Sequence, residues 1–447
     1  MAQYRKDTNQ FLPQEKTLFE TVMLADQYGN IIGGANPSGM AVDAFGRART
    51  SSPLTLFDSF HRYQDNGKVS TANSAFDSYF EHNANTSSII CHVGTSNGAY
   101  VYRESSRVFA YQPGKSLQIL QTYVMAPAQT GLRQRYGYFG TNNGIFIEQD
   151  GHNLYFVIRN SSNNTINETR VAQANWNIDT LDGTNTGAWT ESQPVQNRNP
   201  SGLKLDMSKA QIMFLDIEWL GLGTVRCGFV INGRFIHCHS FHHSNILTSP
   251  YMGTACLPVR AEIENTANTG NSSNLRIVCT SVISEGGYEL RGRPRTIGHS
   301  ANTGYDLASA DTWYPVACIR LKSERADAIV VPKDIHIGAS SASGSVIKYK
   351  VVVGAAVSGG TWVSAGSDSS VQYNINAASY TGGTDYVSGF VTVTNQASTP
   401  VTLGDSIFKY QLERNSFNGT NTIFMIATQT SKAGDDVFAA IDWEEIT

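Results

Sequence analysis

Apolar and polar residues alternate in short runs along most of this chain, and turn-forming residues separate the runs, which is the pattern of half-buried strands. Ser116 to Met125 (SLQILQTYVM) alternates with interruptions. Residues 136–148 predict a hairpin, with YGYFG and GIFIE on either side of Asn142, Asn143 and Gly144. Asn153 to Arg159 (NLYFVIR) predicts another strand. The clearest meander covers residues 211–241: QIMFLDIEW, a turn at Gly221 and Gly223, TVRCGFVI, the pair Asn232-Gly233, and RFIHCHSF. Asn-Gly between two such runs predicts a two-residue hairpin, because both turn positions need positive φ. Pro258 to Glu264 and Leu275 to Ser284 continue the pattern.

Helical signals are few. Trp176–Leu181 and Ser208–Ala210 predict short turns, and no apolar stripe persists long enough for a coiled coil. Residues 1 to about 60 lack periodicity, and turn residues punctuate YGNIIGGANPSGMAV too often for long elements. That stretch predicts an extended arm that orders on a neighbouring surface. From about residue 301 the strand-like segments, Trp313–Lys322, Ala328–Val331, Ser345–Val353, Val371–Ile375, Gly389–Thr394, Ile407–Glu413 and Thr422–Thr428, are joined by loops rich in Gly, Ser, Thr and Ala. No internal repeat is evident. The expected architecture is all-β: an N-terminal arm (1–60), a jelly-roll or β-sandwich domain (61–300) and a smaller β-sandwich domain (301–447).

Composition sharpens this picture. Charged residues make up 16% of the 447, against roughly 25% in an average soluble chain, while apolar residues reach 40% and aromatics 10%. A chain poor in charge suits a protein that loses surface to neighbours, since charge is depleted at interface centres. The formal net charge of −4 argues against nucleic acid as a partner. Mean hydropathy is −0.25, and no apolar run nears the ~18 residues of a spanning helix, so membrane insertion is not expected. The N-terminal MAQYRKDTNQFLPQEK has no signal-peptide core, which predicts synthesis in a cytoplasm. The six cysteines, Cys91, Cys227, Cys238, Cys256, Cys279 and Cys318, contain no C-x-x-C pair and read as small apolar residues. Asn163-Asn164-Thr165 and Asn167-Glu168-Thr169 match glycosylation acceptors but, without a signal peptide, read as polar loops.

Three clusters are candidates for chemistry. In HCHSFHH (His237, His239, His242 and His243), alternation puts His237 and His239 on one strand face, within reach of a metal ion that His242 could also bind. The competing reading, preferred here, is a polar strand edge without metal, with Ile236 and Cys238 on the core side. Asp216 and Glu218 share a strand face at roughly 6–7 Å, a spacing known from glycosidases. The preferred reading pairs them with basic side chains such as Arg226, which would lower both acid pKa values. The run RGRPR (291–295) holds three arginines and, with Pro294 and glycines, reads as a subunit-contact loop. Walker, dinucleotide, G-x-S-x-G and H-E-x-x-H patterns are absent from the sequence. No catalytic, cofactor or metal residue is assigned, and the chain is expected not to be an enzyme.

Two stretches resemble a known group. AVDAFGRARTSSPLTLFDSFHRY (41–63) is similar to the A-F-G-R-x-R-x-S-x-P-x-T-L-F-D segment of a set of tailed-bacteriophage virion proteins. The meander SKAQIMFLDIEWLGLGTVRCGFVINGRFIHCHSFHH, with LPVRAEIEN (257–265) and TSVISEGGY (280–288), is also similar to that group. The resemblance covers about the first 290 residues and implies a structural component of the virion, on the head, tail, baseplate or fibre, acting through subunit contacts. Its partners would be other virion proteins and copies of itself, as a homo-oligomer, a trimer in the usual manner of phage appendages. The alternative is a receptor module that binds host-surface carbohydrate, with or without glycosidase activity. Either way, aromatics such as Trp189, Trp313 and Trp362 are the expected anchors.

Overall fold

The structure, a computed structural model, describes residues 24–25, 31–32, 52–65, 69–74, 76–161, 165–184, 199–286, 292–342, 344–394, 397–398, 401–403, 410–416 and 418–446. The chain divides into two compact units, residues 1–52 and 53–447. In the first, Leu24–Ala25 pairs antiparallel with Ile31–Ile32. Of the expected arm, residues 1–23, 26–30 and 33–51, including 41–51 of the signature segment, lie outside the described residues, and Leu54–Phe60 is a strand of the second unit.

The second unit is all-β, as the alternation predicts. Among its described residues there is no α-helix, only 3-10 turns at Gln173–Asn175 and Ser323–Arg325. Two antiparallel sheets form a jelly-roll-like sandwich. Sheet A runs in spatial order Asn167–Ala172, Asn153–Asn160, Gly144–Asp150, Leu132–Phe139, Val259–Asn265, Tyr100–Ser105, Val69–Asn73. Sheet B runs Arg234–Phe241, Val225–Ile231, Gln211–Glu218, Ser116–Val124, Ser273–Glu285, Ser88–Val93, Tyr79–Asn83, with Leu54–Phe60 paired along Ser273–Glu285. Strands far apart in sequence are neighbours, so the core closes by long-range pairing. Met213, Leu215 and Ile217 face inward opposite Phe229, Cys227 and Val225, and share a core with Tyr136, Tyr138, Ile145, Ile147, Phe156 and Trp176. Each such side chain contributes roughly 1.5–3 kcal/mol by leaving water. The Asn232-Gly233 turn has φ of 53° and 75°, as its hairpin requires.

The outward face of sheet A is a lattice of opposite charges. Arg133, Arg135, Arg159, Arg170 and Arg260 interleave with Glu104, Glu148, Asp150, Glu168, Glu262 and Glu264. Glu148, fully buried, accepts from Arg135 Nε at 2.6 Å and from Arg170. Glu262 accepts from Arg260 Nη2 at 2.6 Å. The guanidinium groups of Arg135 and Arg159 lie over Phe146, which packs with Phe139 and Val157 on this face. Burial pushes the Glu262 carboxyl up, but the fields of Arg260 and Arg135 outweigh it and hold it below the ordinary glutamate value.

A second, smaller sandwich follows. Sheet C runs Val363–Ser364, Val371–Asn374, Tyr314–Leu321, Phe424–Thr430, Ser345–Val353, Thr384–Thr394, Ala397–Ser398. Sheet D runs Arg293–Gly298, Asp435–Ile446, Ile329–Ser340, Val401–Leu403, with Tyr305–Leu307 also on Asp435–Ile446. Between the sheets lie Ile319, Leu321, Ile335, Ile337, Val351, Ile426, Ile441 and Trp443. The two sandwiches meet at a small apolar cluster, Ala110, Cys256, Ile329 and Val331 with Ile446 against it. Across this junction Arg107 pairs with Glu413 at 2.5 Å, and Thr254 Oγ1 donates to Asp327 at 2.9 Å. Five cysteines are buried free thiols and Cys279 is exposed.

Candidate functional site

The outward face of sheet B carries four of the residues singled out by the sequence, Asp216, Glu218, Arg226 and His237. Since Met213, Leu215 and Ile217 fill the core, Phe214, Asp216 and Glu218 point outward. Two polar rows cross the sheet there. In one, Asp216 stands between Arg226 and Gln118, with Ser240 beyond Arg226. In the other, Glu218 is level with Ser116, whose hydroxyl donates to Glu285 at 2.8 Å. An aromatic strip runs beside them. Phe214 is buried on this outward face and meets Phe235 and His237 edge-on, at 5.1 and 5.0 Å between ring centroids. Its ring covers Gly228, where an added Cβ would lie 2.7 Å from it.

Arg226 pairs with Asp216 at 3.0 Å, as expected, but the predicted effect on the acid is reversed. Burial dominates and raises the Asp216 carboxyl above its ordinary range; Arg226 opposes this, and Glu285 and Glu218 add to it. Arg226 is half exposed and its field is shared with water, whereas Asp216 is 13% exposed and its Oδ1 accepts no hydrogen bond among the described residues. A mostly buried acid, an exposed acid two residues on and a guanidinium thus share one outward face. Such a face can accept hydroxyl donors.

The histidines separate. The register slips between Cys227 and Gly228, so that His237 sits opposite Gly228 and His239 opposite Cys227, with Cys238 as the extra residue of a β-bulge. His237 is therefore outward and His239 turns to the core side, against Phe241 at 4.4 Å. The shared face expected from strict alternation does not exist. Burial lowers His239 to about 4, and burial followed by the charge of Arg226 lowers His237. His243 stacks on Tyr251 at 4.0 Å and bonds Gly223 O, while His242 is exposed. Among the described residues no three His, Cys, Asp or Glu side chains converge on a possible metal position.

The RGRPR run is not a loop where it is described. Arg293–Gly298 is the edge strand of sheet D, and an edge tolerates Pro294 because its missing N–H is not needed on the open side. Arg293 and Arg295 both pair with Asp368, at 2.7 and 2.8 Å; Arg291 lies outside the described residues. Of the expected aromatic anchors, Trp313 and Trp362 both pack on the outward face of sheet C, and Trp189 lies outside the described residues. The sheet A lattice was not anticipated, although its signal was present: charges at every second position in LRQRYGYF, GIFIEQD and VRAEIEN within a charge-poor chain.

The sequence matches no protein-family profile and no characterised protein. Solved structures similar to it include a Bacillus licheniformis beta-glucanase (10% identity, 52% of this chain and 98% of that one, TM-score 0.31). Others are the CBM2 module of the evolved Dit of Lactobacillus casei BL23 phage J-1 (6%, 54% and 100%, 0.32) and a carbohydrate esterase of the Shiga toxin-encoding bacteriophage phi24B (11%, 52% and 100%, 0.29). The expectation of a chain without enzymatic activity is corrected by this finding: a glucanase and an esterase stand among the similar structures, so the strand arrangement gives no ground for excluding an enzyme. Likeness at this level assigns no activity to this chain.

Proposed function

We propose that this chain is a tailed-phage virion protein that binds host-surface glycan on the outward face of sheet B. The observation that carries the reading is the pair of polar rows holding Asp216, Glu218, Glu285 and Arg226 beside the exposed Phe235 ring, which the buried Phe214 supports edge-on. Sugar hydroxyls donate readily to carboxylates, and the apolar face of a sugar ring packs on aromatic edges and faces. The virion location rests on the resemblance of residues 41–63 and 208–243 to phage virion proteins, which also suggests neighbouring virion proteins and copies of the chain, as a homo-oligomer, for partners.

The test is binding of the full chain to surface polysaccharide from the host strain, by calorimetry, with reducing ends measured in the same samples. Glu218→Gln, an exposed change that leaves folding intact, should weaken binding by about tenfold, the scale of one charge-assisted hydrogen bond. Equal binding by the variant, or no binding by wild type, removes sheet B from consideration.

A further inference from the structure

The outward face of sheet C carries a different chemistry. Its central outward positions form an apolar floor: Cys318, Met425, Ala427 and Val352 on the sheet, with Ala355 and Ala377 beside it. Trp313, Trp362 and Tyr380 pack onto this floor as partly exposed rings. Cations from the same face stand over these rings. The Arg320 guanidinium is 4.0 Å from the Trp362 centroid, and Lys350 Nζ is 4.5 Å from that of Trp313. Lys348 Nζ lies 5.8 Å from Trp313 and equally far from Phe390, whose ring is 64% exposed.

The compensation of these charges differs from that in sheet A. There, every arginine has a carboxylate. On sheet C, Lys350 pairs with the exposed Asp385 at 2.9 Å, while neither Arg320 nor Lys348 has a carboxylate partner among the described residues. Each is held in place by an aromatic ring, a contact worth about 0.5–1 kcal/mol at an exposed site. An anionic group can therefore engage it without first breaking an ion pair.

We propose that this face is a binding site for an acidic glycan, its rings stacked on the Trp313 and Trp362 platform and its anionic groups paired with Arg320 and Lys348. Charge complementarity selects the occupant. A neutral glycan leaves both cations uncompensated, and a polyanion without flat apolar ring faces makes no use of the indoles. The site is separate from the sheet B face and does not depend on it.

The experiment uses the full chain and four probes of similar length: a polyuronate oligosaccharide, a poly(glycerol phosphate), a neutral glucan and double-stranded DNA. The polyuronate is expected to bind, with affinity falling steeply between 0.05 and 0.5 M salt as screening shortens to about 4 Å. Lys348→Glu, at an exposed position, should weaken binding by about tenfold, and Trp362→Ala should weaken it at unchanged ionic strength. Thermal melting of each variant separates lost binding from lost folding. Tighter binding of poly(glycerol phosphate), which has no rings to stack on the indoles, than of polyuronate would overturn the proposal. Equal binding of the glucan, DNA binding as tight as that of the polyuronate, or indifference to Lys348→Glu would each overturn the proposal.

Discussion

Asp216 shows how a paired acid can still titrate high. Its neighbour Arg226 lies at hydrogen-bond distance, yet burial sets the direction of the shift. A carboxyl whose folded pKa exceeds its unfolded value keeps its proton longer in the native state. Stability therefore falls as pH rises from the ordinary 3.8 through the raised folded value, then levels off. Asp216→Asn removes that dependence. The melting temperature of the variant relative to wild type should rise with pH across this window and flatten by neutrality, with a neutral-pH difference below about 1 kcal/mol for an ion pair with a solvent-exposed partner. A wild type that gains on the variant over the same window would mean that the Arg226 field, not burial, governs the acid.

At the level of single strands, alternation was a sound guide wherever pairing stayed in register and misled wherever a bulge intervened. The hairpin at Asn232-Gly233 and the inward set Met213, Leu215 and Ile217 were legible because turn chemistry and a two-residue period are local properties. The faces of His237 and His239 were not, because the slip between Cys227 and Gly228 depends on the partner strand. The edge strand Arg293–Gly298 was hidden by its proline, and Asp435–Ile446, which organises sheet D, was overlooked in an acidic C-terminal run. The candidate surfaces were harder still: the sequence singled out Asp216 and Glu218, but the Arg–Glu lattice and the cations over Trp313 and Trp362 join strands far apart in the chain. Gly228 marks the site where a strand and the Phe214 ring come closest. A Cβ there would lie 2.1 Å from Ile236 O and 2.7 Å from Phe214. Gly228→Ala should destabilise the protein by about 1–3 kcal/mol, read as a lower denaturation midpoint, and expose Phe214. A neutral substitution would show that the ring is not held over the strand.

For the molecule as a whole, the question is whether the two sandwiches melt together. Their junction buries few apolar groups, so polar contacts carry much of the coupling: the Arg107–Glu413 pair, Thr254 to Asp327, and Ser416, whose N–H donates to Ser106 O at 3.1 Å. Burial raises the Glu413 carboxyl despite Arg107, the mark of an acid that depends on its partner. Arg107→Ala leaves that acid buried without its cation, which should cost about 3 kcal/mol and split one calorimetric transition into two. Adding Glu413→Gln should restore part of the loss. A single unshifted transition in Arg107→Ala would show that the other junction contacts suffice to couple the sandwiches.

The Arg–Glu lattice has a mechanical meaning as well. Backbone hydrogen bonds join neighbouring strands rung by rung and resist sliding only through their register. Arg170 reaches Glu148 and Asp150 two strands away and out of its own row, and Arg135, besides the Glu148 and Glu262 directly opposite it, reaches Glu264 two positions along, so these contacts run diagonally across the rungs. Diagonal members turn a ladder into a braced frame. Sheet A is thereby stiffened against shear in its own plane, and that stiffness belongs to charge rather than to backbone: acid strong enough to protonate the carboxylates would loosen the bracing while leaving the rungs in place.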